Sequence, residues 1–252
     1  MGIRLRGERP ERRIATGAAA LATTLGLSLG GLPTTAEAAT SKPVVVGFGD
    51  SVPAGLHCSC QNMITQYADE IGGTAQNLSS SGSTSLNLVH LLNTARAWNA
   101  VKSASVVVIM TGANDYTNAF DAVSNGASTS QYNSVANSVK ANVTAAVKRV
   151  RYINPNADVV VVDYWGAMEA GKVAQQNYNA ATQYAALKAT ESVDGALWQV
   201  ATSQHTYWVS TYNVFYKTPS TDITGLLLSD GNHLSPAGTS LIAGALNAVL
   251  SL

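Results

Sequence analysis

Three short apolar runs stand out along the chain: 43–48 (Pro-Val-Val-Val-Gly-Phe), 105–110 (Ser-Val-Val-Val-Ile-Met) and 158–162 (Asp-Val-Val-Val-Val). They are continuous rather than alternating, which predicts parallel strands covered on both faces. Weaker runs at 74–78 and 207–211 bring the number of strands to five. Helical spacing fills the intervals at 61–71, 85–98, 130–152 and 167–192, the last being the longest and rich in Ala and Gln. A final apolar helix spans 236–250, with Ser235 as its N-cap and Pro236 at its first position. One clear polar loop occupies 124–130. Strands alternating with helices predict βαβ units, folded as a three-layer α/β/α sandwich around a mainly parallel five-stranded sheet. No internal repeat and no linker divides residues 39–252, which are expected to form a single domain.

Composition agrees with a packed domain: of 252 residues, 46% are hydrophobic and 12% charged. Basic and acidic residues balance at 15 each, leaving no surplus to neutralise phosphates, so nucleic acid is not the expected partner. Residues 1–38 differ from the rest. Arg4, Arg6, Arg9, Arg12 and Arg13 form a positive start, 14–32 is apolar but diluted with Gly, Thr and Ser, and Ala36-Glu37-Ala38 supplies small residues for cleavage. This is the pattern of a secretory signal cleaved near Ala38, and the apolar stretch is marginal as a membrane anchor. Arg12-Arg13 leaves a twin-arginine route open beside the general one. The mature protein is expected to be exported, without stable membrane insertion. Sequence leaves its oligomeric state undetermined.

In open α/β sheets ligands bind beyond the carboxyl ends of the strands. Those positions carry Gly49-Asp50-Ser51, Ser79-Ser80-Ser81-Gly82 and Gly112-Ala113-Asn114-Asp115, and Asp230-Gly231-Asn232-His233 precedes the last helix. A serine hydroxyl attacks only when a base removes its proton, and that base needs a carboxylate to fix its tautomer. On a tight turn, Asp230 and His233 have the spacing for this work. Negative charge developing on a tetrahedral intermediate needs fixed donors. The N–H groups of Ser51 and Gly82 and the Asn114 amide are candidates, since an Asn side chain donates where Asp cannot. Taken singly, each segment also fits an ordinary turn or helix cap. Together they lie at strand ends, nucleophile first and base last.

With these four blocks, Gly49-Asp50-Ser51, Gly82, Gly112-x-Asn114-Asp115 and Asp230-x-x-His233, the chain resembles the SGNH hydrolases, the GDSL esterases and lipases. The resemblance spans Gly49 to His233 and the helix beyond. It implies a flavodoxin-like sheet and Ser51 as nucleophile. It further implies Gly82 and Asn114 as oxyanion donors, His233 as base, Asp230 as its orienting acid, and no cofactor or metal. Two departures are Val52, where Leu often follows Gly-Asp-Ser, and Ser79, where many relatives carry Gly.

Other chemistries leave residues unused. An α/β-hydrolase elbow needs Gly where Pro53 stands, a dinucleotide fingerprint needs Gly where Val52 stands, and a glycosidase pair would leave Ser51, Asn114 and His233 without roles. The expected activity is a secreted serine esterase acting on a small-molecule or glycan ester through an acyl-enzyme on Ser51. A carbohydrate deacetylase, an acyltransferase or a non-catalytic surface binding protein is the alternative. Trp165, just past the third apolar run, is expected to line the pocket. No long apolar stretch follows Asn114 to serve as a lid, which predicts an open site and short acyl chains. Cys58 and Cys60, the only cysteines, are expected to be structural, bridged across one residue or free. With His57 they pack too closely to surround one ion tetrahedrally.

Overall fold

The computed structural model describes residues 41–218 and 221–250. The segment read as a signal, with its cleavage point near Ala38, lies outside the described residues. Five strands, β1 (Val44–Gly49), β2 (Thr74–Asn77), β3 (Val106–Met110), β4 (Asp158–Val162) and β5 (Tyr207–Val209), form one sheet in the order β2-β1-β3-β4-β5. Every pairing is parallel, so the expected sheet is realised without an antiparallel member. The continuous Val/Ile runs are covered on both faces: β3 is fully buried along its length, as are Val45, Val46 and Phe48 of β1. The edge strand β2 alternates exposed and half-buried residues.

Ten helices flank the sheet among the described residues: α1 (Ser51–Ala54), α2 (Met63–Glu70), α3 (Ser85–Leu91), α4 (Ala95–Ser103), α5 (Thr117–Ser124), α6 (Tyr132–Ile153), α7 (Gly171–Asn177), α8 (Ala180–Gln204), α9 (Thr211–Phe215) and α10 (Pro236–Leu250). Helices α3, α4, α5 and α8 pack on α6, while α2 and α9 pack on α10. None is long and apolar enough to cross a membrane.

Two predicted helices are interrupted, for the same reason. The pattern at 85–98 breaks before Thr94, whose Oγ1 accepts from the Ala97 N–H at 3.3 Å and starts α4. The pattern at 167–192 breaks at Asn179, whose Oδ1 accepts from the Thr182 N–H at 2.9 Å and starts α8. Short polar side chains offer the backbone an alternative partner, and here they cap new helices. From that cap α8 runs on to Gln204, well past the expected end at 192. Ser235 caps the last helix as expected, its Oγ accepting from the Gly238 N–H at 3.3 Å.

Candidate active site

The chain leaves β1 for β2 on one side and returns to β3 on the other, so the connections diverge between β1 and β3. That divergence opens a crevice at their carboxyl ends. Gly49 ends β1 against β3, where a Cβ would stand 1.9 Å from the Met110 carbonyl oxygen. Only glycine fits. The next residue, Asp50, is buried and caps α1, with Oδ1 accepting from the Val52 N–H at 3.0 Å. Its Oδ2 accepts from the Tyr164 hydroxyl. Burial pushes the Asp50 carboxyl up to about 6, against the opposing pull of the Tyr164 and Val52 donors. Ser51 is thereby held as the first residue of a short helix whose cap is anchored to the far side of the crevice.

His233 reaches Ser51 from the loop before α10. An isolated antiparallel bridge between Leu227 and Leu234 closes that loop, and the Leu228 N–H donates to the His233 carbonyl at 2.8 Å. Within it Asp230 acts as an internal template: Oδ1 accepts from the N–H groups of Asn232 at 2.8 Å and His233 at 2.9 Å. Its other oxygen, Oδ2, accepts from His233 Nδ1 at 2.7 Å, and Nε2 lies 3.0 Å from Ser51 Oγ. Partial burial works against ionisation of Asp230, but these N–H donors and the His233 ring outweigh it and hold the carboxyl below the ordinary range. A hydroxyl, an imidazole and a carboxylate thus lie in one hydrogen-bonded line. Such a line can draw the proton off the hydroxyl.

Gly82 and Asn114 come together through a residue thirty positions from its partner. Asp115 accepts from the Ser85 N–H and hydroxyl, and the Asn142 amide donates to the same hydroxyl at 2.9 Å. This ties the start of α3, and the loop before it, to the turn after β3. Asn114 Nδ2 donates to the Ser83 carbonyl at 3.0 Å, which engages one of its two amide hydrogens. Gly82 sits at φ +74 with open space where a Cβ would point.

Trp165 does not reach the crevice. It is fully buried, with its ring 5.6 Å from that of Phe215, so its expected place in the pocket is corrected to a place in the core. Its neighbour Tyr164 is the aromatic residue that faces Asp50. Successive residues after a strand point to opposite sides, and the sequence has no local signal for which of the two turns toward the site. Ser85, the anchor for Asp115, was likewise invisible at a distance of thirty residues.

Cys58 and Cys60 are joined in a disulfide. Just before it, His57 takes a left-handed backbone conformation at φ 62 and meets the His233 ring edge-on, with centroids 5.2 Å apart. His57, Asp230 and His233 each place one potential ligand atom within 4.8 Å of the others, the group among the described residues able to hold a metal ion.

The sequence matches the family described as GDSL-like lipase/acylhydrolase over residues 45–246. The chain belongs to this family and is a serine ester hydrolase. No curated protein matches it. Among solved structures it is similar to a lipase from a goat rumen metagenome, with TM-score 0.67 and 16% identity over 82% of this chain and 97% of that one. An extracellular lipase from Streptomyces rimosus gives TM-score 0.62 and 16% identity over 82% and 99%. A catalytic mutant of an acetylxylan esterase from Geobacillus stearothermophilus gives 0.59 and 16% over 84% and 95%. At such identities the likeness establishes a shared fold.

Proposed function

We propose that this hydrolase is an exported esterase that cleaves short-acyl carboxylic esters through an acyl-enzyme on Ser51. The observation that carries the reading is the Ser51 Oγ to His233 Nε2 distance of 3.0 Å, continued by 2.7 Å from Nδ1 to Asp230. As Ser51 Oγ attacks the ester carbonyl carbon, its proton passes to His233 Nε2, and Asp230 stabilises the imidazolium. The oxyanion takes donors from the Ser51 and Gly82 N–H groups and from the remaining Asn114 amide hydrogen. Collapse transfers the proton from His233 to the departing alcohol. Water, deprotonated in turn by His233, then attacks the acyl carbon and releases the acid and free Ser51.

The short-acyl preference is supported by the sequence after Asn114, which offers no long apolar stretch to serve as a lid over Ser51. An open site gives a long acyl chain little of the roughly 0.8 kcal/mol per methylene that a deep apolar channel would supply. Export is supported by the Arg-rich and apolar start of the sequence and by the Cys58–Cys60 disulfide, which persists in oxidising compartments. A fluorophosphonate probe should label Ser51, and Ser51→Ala should abolish hydrolysis. An adduct on another serine overturns the assignment. Across p-nitrophenyl esters from acetate to palmitate, kcat/KM should fall with chain length, and a steady climb to palmitate would refute the short-acyl reading.

A further inference from the structure

His57 takes no part in the chemistry proposed above, yet the fold holds it in place beside His233. A left-handed backbone is uncommon for a residue other than glycine, although His is among the types that tolerate it best. The turn that carries it is closed by the Cys58 N–H donating to the Gly55 carbonyl at 3.3 Å, and the Cys58–Cys60 bridge follows directly. The result is an exposed imidazole edge-on to a buried one, with the Asp230 carboxylate beside them.

We propose that His57, His233 and Asp230 form a binding site for a divalent transition-metal ion of the zinc class, and that occupancy switches the esterase off. Two imidazoles and one carboxylate are a donor set that zinc accepts while keeping a fourth position for water. Calcium and magnesium prefer oxygen donors and are poorly matched. Geometry is close to what an ion needs. Ligands bonded at about 2.1 Å around a tetrahedral ion stand about 3.4 Å apart, whereas the three groups here lie within 4.8 Å of one another. The closure required is somewhat more than an ångström, and the exposed side chain of His57 can supply it by rotation. Asp230 and His233 are already adjacent.

Inhibition follows from the tautomer and rests on His233 being the base. A metal at Nδ1 takes the place of that proton and leaves the imidazole hydrogen on Nε2, facing Ser51, where it cannot accept another. A metal at Nε2 occupies the lone pair itself. In either case the Ser51 hydroxyl loses its proton acceptor, and removing the ion restores it.

The test uses untagged full-length protein and zinc chloride in a non-chelating buffer. Calorimetry on the Ser51→Ala variant, which needs no turnover, should detect one zinc per chain. Adding His57→Asn should weaken that binding by about tenfold or more, since Asn tolerates the left-handed backbone but cannot replace the imidazole. In the active protein zinc should inhibit hydrolysis of p-nitrophenyl acetate and EDTA should reverse it. His57→Asn should keep the basal rate and tolerate about tenfold more zinc. Absence of zinc binding, or equal affinity with and without His57, overturns the site. His57-dependent binding that leaves hydrolysis untouched overturns the inhibitory role. If no ester is hydrolysed at all, the calorimetry still decides the metal site, and the failure falls on the esterase reading.

Discussion

The carboxylate of Asp115 grips Ser85 at two points, Oδ2 accepting from the backbone N–H at 2.8 Å and Oδ1 from the hydroxyl at 2.6 Å. Both residues are neighbours of proposed oxyanion donors: Asp115 follows Asn114, and Ser85 begins the helix after the Gly82 loop. The pair therefore sets the spacing between two donors that belong to different strand connections. A catalytic group misplaced by about an ångström can cost a hundredfold in rate. Asp115→Ala should lower kcat for p-nitrophenyl acetate by about tenfold or more while KM changes little. Ser85→Ala keeps the N–H bond and should lose less. A folded Asp115→Ala enzyme with unchanged kcat would show that the strut has no bearing on turnover.

Tyr164 should matter most when Asp50 is charged. Its hydroxyl donates to a buried carboxylate whose pKa burial has raised to about 6. Tyr164→Phe removes a donor from the ionised form and should cost about 1–3 kcal/mol at pH 8. At pH 5, where the carboxyl is neutral, the loss should be smaller. Urea unfolding of both proteins at the two pH values measures this, and an equal loss at both would contradict it.

Asp163 and Asp194 predict a pH-dependent stability of defined sign. Burial raises the Asp163 carboxyl to about 7, and burial followed by the charge of Asp163 raises Asp194 to about 8. In an unfolded chain both titrate at about 4. Between those limits the folded protein binds more protons than the unfolded one, so this pair favours folding below about pH 4 and loses that contribution as pH rises to about 8. Asp194→Asn retains an acceptor for the Tyr164 N–H, which Asp194 Oδ1 meets at 3.0 Å, and removes one charge. Its melting temperature should fall less steeply than that of the wild type between pH 5 and pH 8. An identical slope would rule out the pair as the source.

Trp165 should behave as a core residue. Trp165→Ala empties a fully buried site against Phe215 and should destabilise the fold by about 3–5 kcal/mol. KM for a short ester should be unchanged in the folded fraction. A raised KM at unchanged stability would instead return Trp165 to the substrate pocket.

Sequence alone determined those features whose physics is local. Three continuous Val/Ile runs bounded by turn residues mark the buried central strands, and two weaker runs mark the edge strands β2 and β5, so the sheet and its five members were legible. The turn residues after β1, β2 and β3 mark strand ends, and Asp230 and His233 are close enough along the chain to pair within a single loop. Tertiary structure decided what depends on distant partners. The side of the chain on which Tyr164 and Trp165 emerge follows from how the segment after β4 packs on α8 and α9, and no local pattern encodes it. The Asp115–Ser85 strut joins the turn after β3 to a helix start thirty residues earlier. The interruptions at Thr94 and Asn179 arise where a side-chain cap competes with an otherwise unbroken helical period, a contest that packing resolves. Most of all, bringing His233 within 3.0 Å of Ser51 spans 182 positions. Residue types made that contact chemically sensible, and the parallel sheet with α10 packed beside it made the contact real.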